Sequence, residues 1–201
     1  MLGNDVIDLG DPEARPGALH PRFDARVFTP DERAALACAA HPERLRWRLW
    51  AMKEAAYKCL KKLEPATCFS PRHIRVRLEG ERAESVHCAG RRLRVALWEE
   101  GDALHAIATD GADPEHDVLR ALTALPAAAE PAHASAAVRT LARTAAAAHL
   151  RCAPGDLAFI HEGRAPRLQR CGLPVDLDLS LAHHGRFLAA ALETGAGGNA
   201  T

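Results

Sequence analysis

Glu54 and Lys58 stand four residues apart in Trp47-Arg48-Leu49-Trp50-Ala51-Met52-Lys53-Glu54-Ala55-Ala56-Tyr57-Lys58, the middle of a run from Pro42 to Leu63 dominated by good helix formers. On a helix that spacing sets a carboxylate beside an ammonium. Leu45, Leu49, Met52, Ala56, Leu60 and Leu63 recur at steps of three and four, so the pair lies at one edge of an apolar stripe facing a core. Lys53, Lys61 and Lys62 are also expected off that stripe. Taken alone, Glu54 and Lys58 form a solvated ion pair worth about 0.2–0.5 kcal/mol. Three other places carry reactive side chains: Asp5 beside Val6-Ile7, Arg139 and Arg143 four apart, and His183-His184 ahead of Gly185.

These residues need elements to hold them. Val6-Ile7 between Asp5 and Asp8 reads as a short buried strand, stopped by Gly10 and Pro12, although Asp5 by itself is equally a turn or capping residue. Thr29-Pro30-Asp31-Glu32 reads as an N-cap with proline at the first helical position, predicting a helix from Pro30 to about Ala40. Past the central helix, Phe69-Ser70-Pro71 breaks the chain. Ile74–Leu78 alternates as a half-exposed strand, and Leu93–Trp98 and Ala103–Ala108 predict a hairpin turning at Glu99-Glu100-Gly101-Asp102. Residues 112–134, rich in Ala, Pro and acids, are expected to be a linker. Ser135–Leu150 reads as a second helix with Val138, Leu141, Ala145 and Ala148 on one side. Phe159-Ile160, Val175–Leu181 and Phe187–Leu192 read as strands, and 195–201 as a disordered tail.

Setting Gly101 against Gly185 matches Leu97 with Leu181, Leu104 with Leu188 and Ala106 with Ala190, a weak internal repeat. The expected fold class is therefore α+β, with two related lobes, 1–111 and 135–194, each a helix with a small antiparallel sheet.

Composition narrows the function. With 201 residues, 48% of them apolar, the chain can bury a core and is not disordered. Lys plus Arg and Asp plus Glu number 26 each, so bulk capture of nucleic acid or an anionic membrane is not expected, and an anionic partner must be met by a local cluster. No signal peptide or spanning segment is read, and a cytoplasmic protein is expected. The six cysteines form no C-x-x-C, so neither zinc nor redox chemistry is signalled.

Gly3-Asn4-Asp5-Val6-Ile7-Asp8-Leu9, Arg26-Val27-Phe28-Thr29 with Glu32, and Trp50-Ala51-Met52-Lys53-Glu54-Ala55-Ala56-Tyr57-Lys58 together resemble the 4′-phosphopantetheinyl transferases. In that family a G-x-D strand and a W-x-x-K-E-x-x-x-K helix bring one aspartate and one glutamate together on Mg²⁺, and the terminal lysine meets the pyrophosphate of coenzyme A. Val138–Arg143, Gly163-Arg164-Ala165-Pro166 and Ser180-Leu181-Ala182-His183-His184-Gly185-Arg186-Phe187 look like the other half of surfactin-type members. There that half comes first, whereas here it comes last. The Gly3-Asn4-Asp5 start is similar instead to the small holo-acyl-carrier-protein synthases. A pseudo-dimer with its halves in permuted order is implied, a monomer with one site between the lobes.

The resemblance implies Mg²⁺-dependent transfer of the phosphopantetheine arm from coenzyme A to a serine of an apo acyl or peptidyl carrier protein, releasing 3′,5′-adenosine diphosphate. Fatty acid or polyketide biosynthesis is the implied setting. It assigns Asp5 and Glu54 to the metal, Glu54 and Lys58 to catalysis, and Lys58, His183, Arg139, Arg143 and Arg164 to coenzyme A. Three positions depart from the pattern: Ala182 replaces the usual serine, Arg164 with an extra Ala165 replaces the lysine of G-K-P, and Ile7 stands where a second acidic ligand is common. Trp47 and Trp50 are expected in the core, and Arg15, Arg22 and Arg26 form a basic cluster suited to an acidic carrier. The rival reading is a noncatalytic coenzyme A-binding module, which Ala182 favours and the retained Asp5, Glu54 and Lys58 oppose. A Mg²⁺-dependent phosphohydrolase would leave the motifs of the second half unexplained.

Overall fold

Strand β1 (Leu2–Asp8) is buried along all seven residues. The computed structural model of the chain describes residues 1–80, 82–162 and 165–194, with the backbone alone at 82–84, 161, 162 and 165. Arg164 and the tail at 195–201 lie outside the described residues. After β1 come α1 (Phe23–Val27), α2 (Pro30–Cys38), α3 (Pro42–Leu63), β2 (Arg75–Glu79), β3 (Arg82–Cys88), β4 (Arg91–Glu100) and β5 (Ala103–Thr109). They form one antiparallel sheet in the order β1-β5-β4-β3-β2 with α3 laid across it. Then follow β6 (Val118–Ala124), α4 (Pro131–Leu150), β7 (Leu157–Glu162), β8 (Ala165–Arg170), β9 (Leu173–Pro174), β10 (Leu179–His184) and β11 (Phe187–Glu193). These make two three-stranded sheets, β10-β11-β6 under α4 and β7-β8-β9 beside it. The chain is thus mixed helix and antiparallel sheet.

Local chemistry explains the helices. In α2, Thr29 Oγ1 accepts the Glu32 N–H at 3.2 Å while the Glu32 carboxylate accepts the Thr29 N–H at 2.8 Å, a capping box with Pro30 at the first turn. In α3, Leu45, Leu49, Met52, Ala56 and Leu60 are nearly solvent-free and form the centre of the larger core with Ile7, Leu93, Leu104 and Ala106. Trp47 lies in that core, its indole N–H on the Ala14 carbonyl at 2.8 Å, and Trp50 is half-buried against Phe23 and Phe69.

Three expectations are corrected. Lys53 is fully buried rather than off the apolar face, its ammonium meeting Glu32 Oε2 at 2.8 Å, the Pro71 carbonyl at 2.9 Å and the Ile74 carbonyl. Glu32 also accepts the Val76 N–H, so this pair ties α3 to α2 and β2. Removing either partner strands a buried charge at a cost of about 3–5 kcal/mol. The stretch 112–134 is more than a linker, since it supplies β6, which pairs with β11, and the first turn of α4. Val175–Asp178 precedes β10 and is not part of the strand. Its alternation reflects side chains packed from an irregular segment: Leu177 is buried, and Asp178 is held by Lys62.

Candidate active site

Gly3 decides how close β1 comes to α3. A Cβ there would lie 2.1 Å from the Ala55 carbonyl oxygen and 2.4 Å from the Cys59 nitrogen, so only glycine lets the strand rest on the helix backbone. Asp5 projects from the same face of β1, and Lys58 Nζ donates to its Oδ1 at 2.7 Å. Glu54 is one turn before Lys58. Burial, with the nearby Asp5 charge adding, pushes its carboxyl up to about 7, against the pull of Lys58. Two hard oxygen donors that repel each other, beside an ammonium already drawn to them, suit a small divalent cation. Mg²⁺ in particular takes one or two carboxylates and fills its octahedron with water and substrate phosphate. Among the described residues no larger cluster of Asp, Glu, His or Cys gathers for a metal.

Asp8 is spoken for elsewhere. Arg186 grips its two oxygens at 2.9 Å each, and this guanidinium holds the carboxyl down at about 2. His184 faces the same way, its Nδ1 accepting the Asp8 N–H at 3.1 Å. Ala182 is buried against Val6 and Ala189.

Lys58 opens onto a cavity of about 860 Å³ between α3, α4, β8 and β10. Among the described residues its walls carry Lys58, Lys61, Lys62, Arg139 and Arg167 against one acid, Asp178, which fits an anionic occupant in a chain of zero net charge. Arg139 lines it, and among the described residues its buried Nε has no hydrogen-bond partner. Arg143 Nε is likewise buried without a described partner, but Arg143 does not line the cavity. His183 lines it too, with Nε2 3.4 Å from Ser135 Oγ. Burial, helped by the charge of Lys58, pushes the His183 ring below its ordinary proton affinity. Trp47 and Trp50 are not cavity residues.

The sequence expectations therefore split. Asp5, Glu54 and Lys58 stand together, but of the three only Lys58 lines the cavity; His183 and Arg139 line it as well, whereas Arg143 stands outside. Lys62 and Arg167 were missed as cavity residues. Lys62 carried a signal, standing four residues after Lys58 on the same helix face; its ammonium reaches Asp178 Oδ1 and the Leu179 carbonyl, both at 2.7 Å. Arg167 carried none, because its place depends on how β8 lies beside β10.

Comparison with known proteins adds an independent line. A family model described as the 4′-phosphopantetheinyl transferase superfamily matches residues 1–109. No curated protein matches. Among solved structures the chain is similar to the holo-[acyl-carrier-protein] synthase of Thermotoga maritima, at 11% sequence identity over 86% of this chain and 83% of that one, with a TM-score of 0.41.

Proposed function

The chain belongs to the 4′-phosphopantetheinyl transferase superfamily, and from that premise we propose that it moves the phosphopantetheine arm of coenzyme A onto a serine of an apo carrier protein, with Mg²⁺ required. The observation that carries this reading is that Lys58, which meets Asp5 beside Glu54, also lines a cavity walled by cations. Residues 1–111 supply the metal ligands and catalytic groups, and 135–194 supply phosphate contacts, as two lobes around one site.

In this reading the diphosphate of coenzyme A lies in the cavity against Lys58, Arg139 and His183, while Arg143 and Arg164 stand as further candidates for its phosphates. The serine oxygen forms a bond to the β-phosphorus, the bond to the bridging oxygen breaks, and 3′,5′-adenosine diphosphate leaves. Asp5 and Glu54 would hold Mg²⁺, which neutralises phosphate charge when bound. Lys58 faces the bridging oxygen as negative charge develops there. Glu54, directly or through a water that Mg²⁺ would hold, is the candidate base for the serine proton. Arg15, Arg22 and Arg26 are exposed around α1 and form a landing place for an acidic carrier.

The test is intact-protein mass spectrometry of apo acyl and apo peptidyl carrier proteins incubated with the chain, coenzyme A and Mg²⁺. The expected result is a gain of one phosphopantetheine arm that vanishes without Mg²⁺ and with Glu54→Gln. Coenzyme A binding with no transfer to any carrier would establish the noncatalytic module instead.

A further inference from the structure

Backbone pairing holds β1 on one side only, against β5. Its other side meets β10, yet no backbone ladder joins these strands among the described residues. Side chains do the joining. The Leu2 N–H donates to Asp178 Oδ2 at 2.6 Å, the Asn4 N–H to Ser180 Oγ at 3.0 Å and the Asp8 N–H to His184 Nδ1 at 3.1 Å, each across a separation of 176 residues. Equal separations mean that the strands run parallel and in step. The same step sets Ala182 beside Val6, and a methyl group offers no acceptor. That gap falls next to Asp5 on one strand and next to His183 on the other, so the seam lacks a rung at the level of the site.

The ends of the seam are anchored. Lys62 fixes Asp178 at 2.7 Å from α3. At the other end Arg186 gives Asp8 three hydrogen bonds, from Nε and Nη2 at 2.9 Å and from its backbone N–H at 3.0 Å, and reaches Asp102 in the β4–β5 turn at 3.1 Å. Gly185, at φ +53°, lets the β10–β11 turn close on Asp8; a Cβ there would lie 2.6 Å from Oδ2. Side-chain acceptors can change rotamer, which the acceptors of a backbone ladder cannot, so the step between the strands depends on these anchors.

We infer that Arg186 is a positioning residue: by fixing Asp8 it sets the step of β1 against β10, and with it the separation of Asp5 from His183 across the site. This rests on the transferase reading, in which metal ligand and phosphate donor must act on one diphosphate, and a displacement of about 1 Å costs about 100-fold in rate.

Two variants test it, Arg186→Ala and the milder Asp8→Asn, which leaves no buried charge unpaired. Hydrogen exchange of the peptide covering residues 2–8 is read together with coenzyme A affinity and turnover. Both variants are expected to speed exchange in that peptide about tenfold while α3 is unchanged, and to lower kcat about 100-fold with the KM for coenzyme A within about threefold. Adding Ala182→Ser, which offers the Val6 N–H an acceptor at the gap, is expected to restore about tenfold of the lost turnover. Unchanged exchange in both variants, or faster exchange with full turnover, overturns the inference. If the wild-type chain transfers nothing, the transferase reading fails, and the exchange result alone upholds or overturns Arg186 as the residue that sets the step.

Discussion

In the first half of the chain a strand, β1, is followed by a long helix, α3, and by the hairpin β4–β5, with β1 paired to β5; in the second half β6, α4 and the hairpin β10–β11 follow in the same order, with β6 paired to β11. Matched through Gly101 and Gly185, both at positive φ, the hairpins place Ala106 with Ala190 and Ala108 with Leu192. Asp5 pairs opposite Ala106, but Ala121 pairs opposite Ala190. Gly3 pairs opposite Ala108, but Leu119 opposite Leu192. The helix packing differs to suit: α3 lays its backbone at Ala55 and Cys59 against Gly3, whereas α4 brings Ala142, Ala146 and Ala147 to a core against which Leu119 packs. Either solution closes a core at similar density. Only the first brings a helix backbone close enough for a strand carboxylate to meet a helix lysine, so the Asp5–Lys58 contact has no counterpart in the second half among the described residues.

Making β1 resemble β6 is the most severe way to break this asymmetry. Asp5→Ala is expected to lower transfer by about 1,000-fold or more, while Ala121→Asp supplies no second site, both read by mass shift of a carrier protein. Lys58→Ala follows, lowering kcat by about 100-fold with a smaller change in coenzyme A affinity, as for a contact that strengthens in the transition state. Gly3→Ala is expected to cost about 3 kcal/mol in chemical denaturation and to lose activity below its melting temperature, whereas Leu119→Ala costs about 1–2 kcal/mol and leaves turnover intact.

A pH series sharpens the boundary between the halves. His105, buried in β5 with Asn4 on one side and the charge of Arg120 on the other, is pushed down to about 3, chiefly by burial. Between its unfolded value near 6.5 and about 3 the unfolded chain binds the extra proton, so His105 removes stability as pH falls, by up to about 1.4 kcal/mol per pH unit. Glu54 acts in the opposite sense from about 7 to 4.5, where the folded chain binds the extra proton. Denaturation of wild type and His105→Gln at pH 6.5 to 4.5 isolates the histidine: the variant is expected to lose less stability on acidification. The smallest effect is on the cation side. Arg139→Ala is expected to raise the KM for coenzyme A about tenfold and Arg143→Ala by less, since only Arg139 lines the cavity.

How far each feature was legible depends on the range of its cause. The N-cap of α2 at Thr29, the apolar stripe of α3 and the hairpin at Gly101 are set by residues within a few positions of one another, and they stand where the sequence puts them. The strand in 112–134 was hidden because its pairing partner, β11, lies some 70 residues on and its own residues are only half-buried. Lys53 was hidden because a lysine in a helix reads as solvated, and its burial depends on three acceptors delivered by α2 and the segment before β2. Ala182 read as a lost phosphate contact, yet it faces Val6.

By itself the sequence determined the family and the helix that carries Glu54 and Lys58, because covalent spacing and the 3.6-residue turn fix which side chains share a face. The tertiary structure alone decided that Gly3 is the contact bringing Asp5 to Lys58, that Asp8 belongs to Arg186, and that Arg167 joins the cavity while Arg143 does not. Each of those depends on the approach of segments far apart in the chain, and such an approach follows from how whole surfaces fit together rather than from any local pattern of residues.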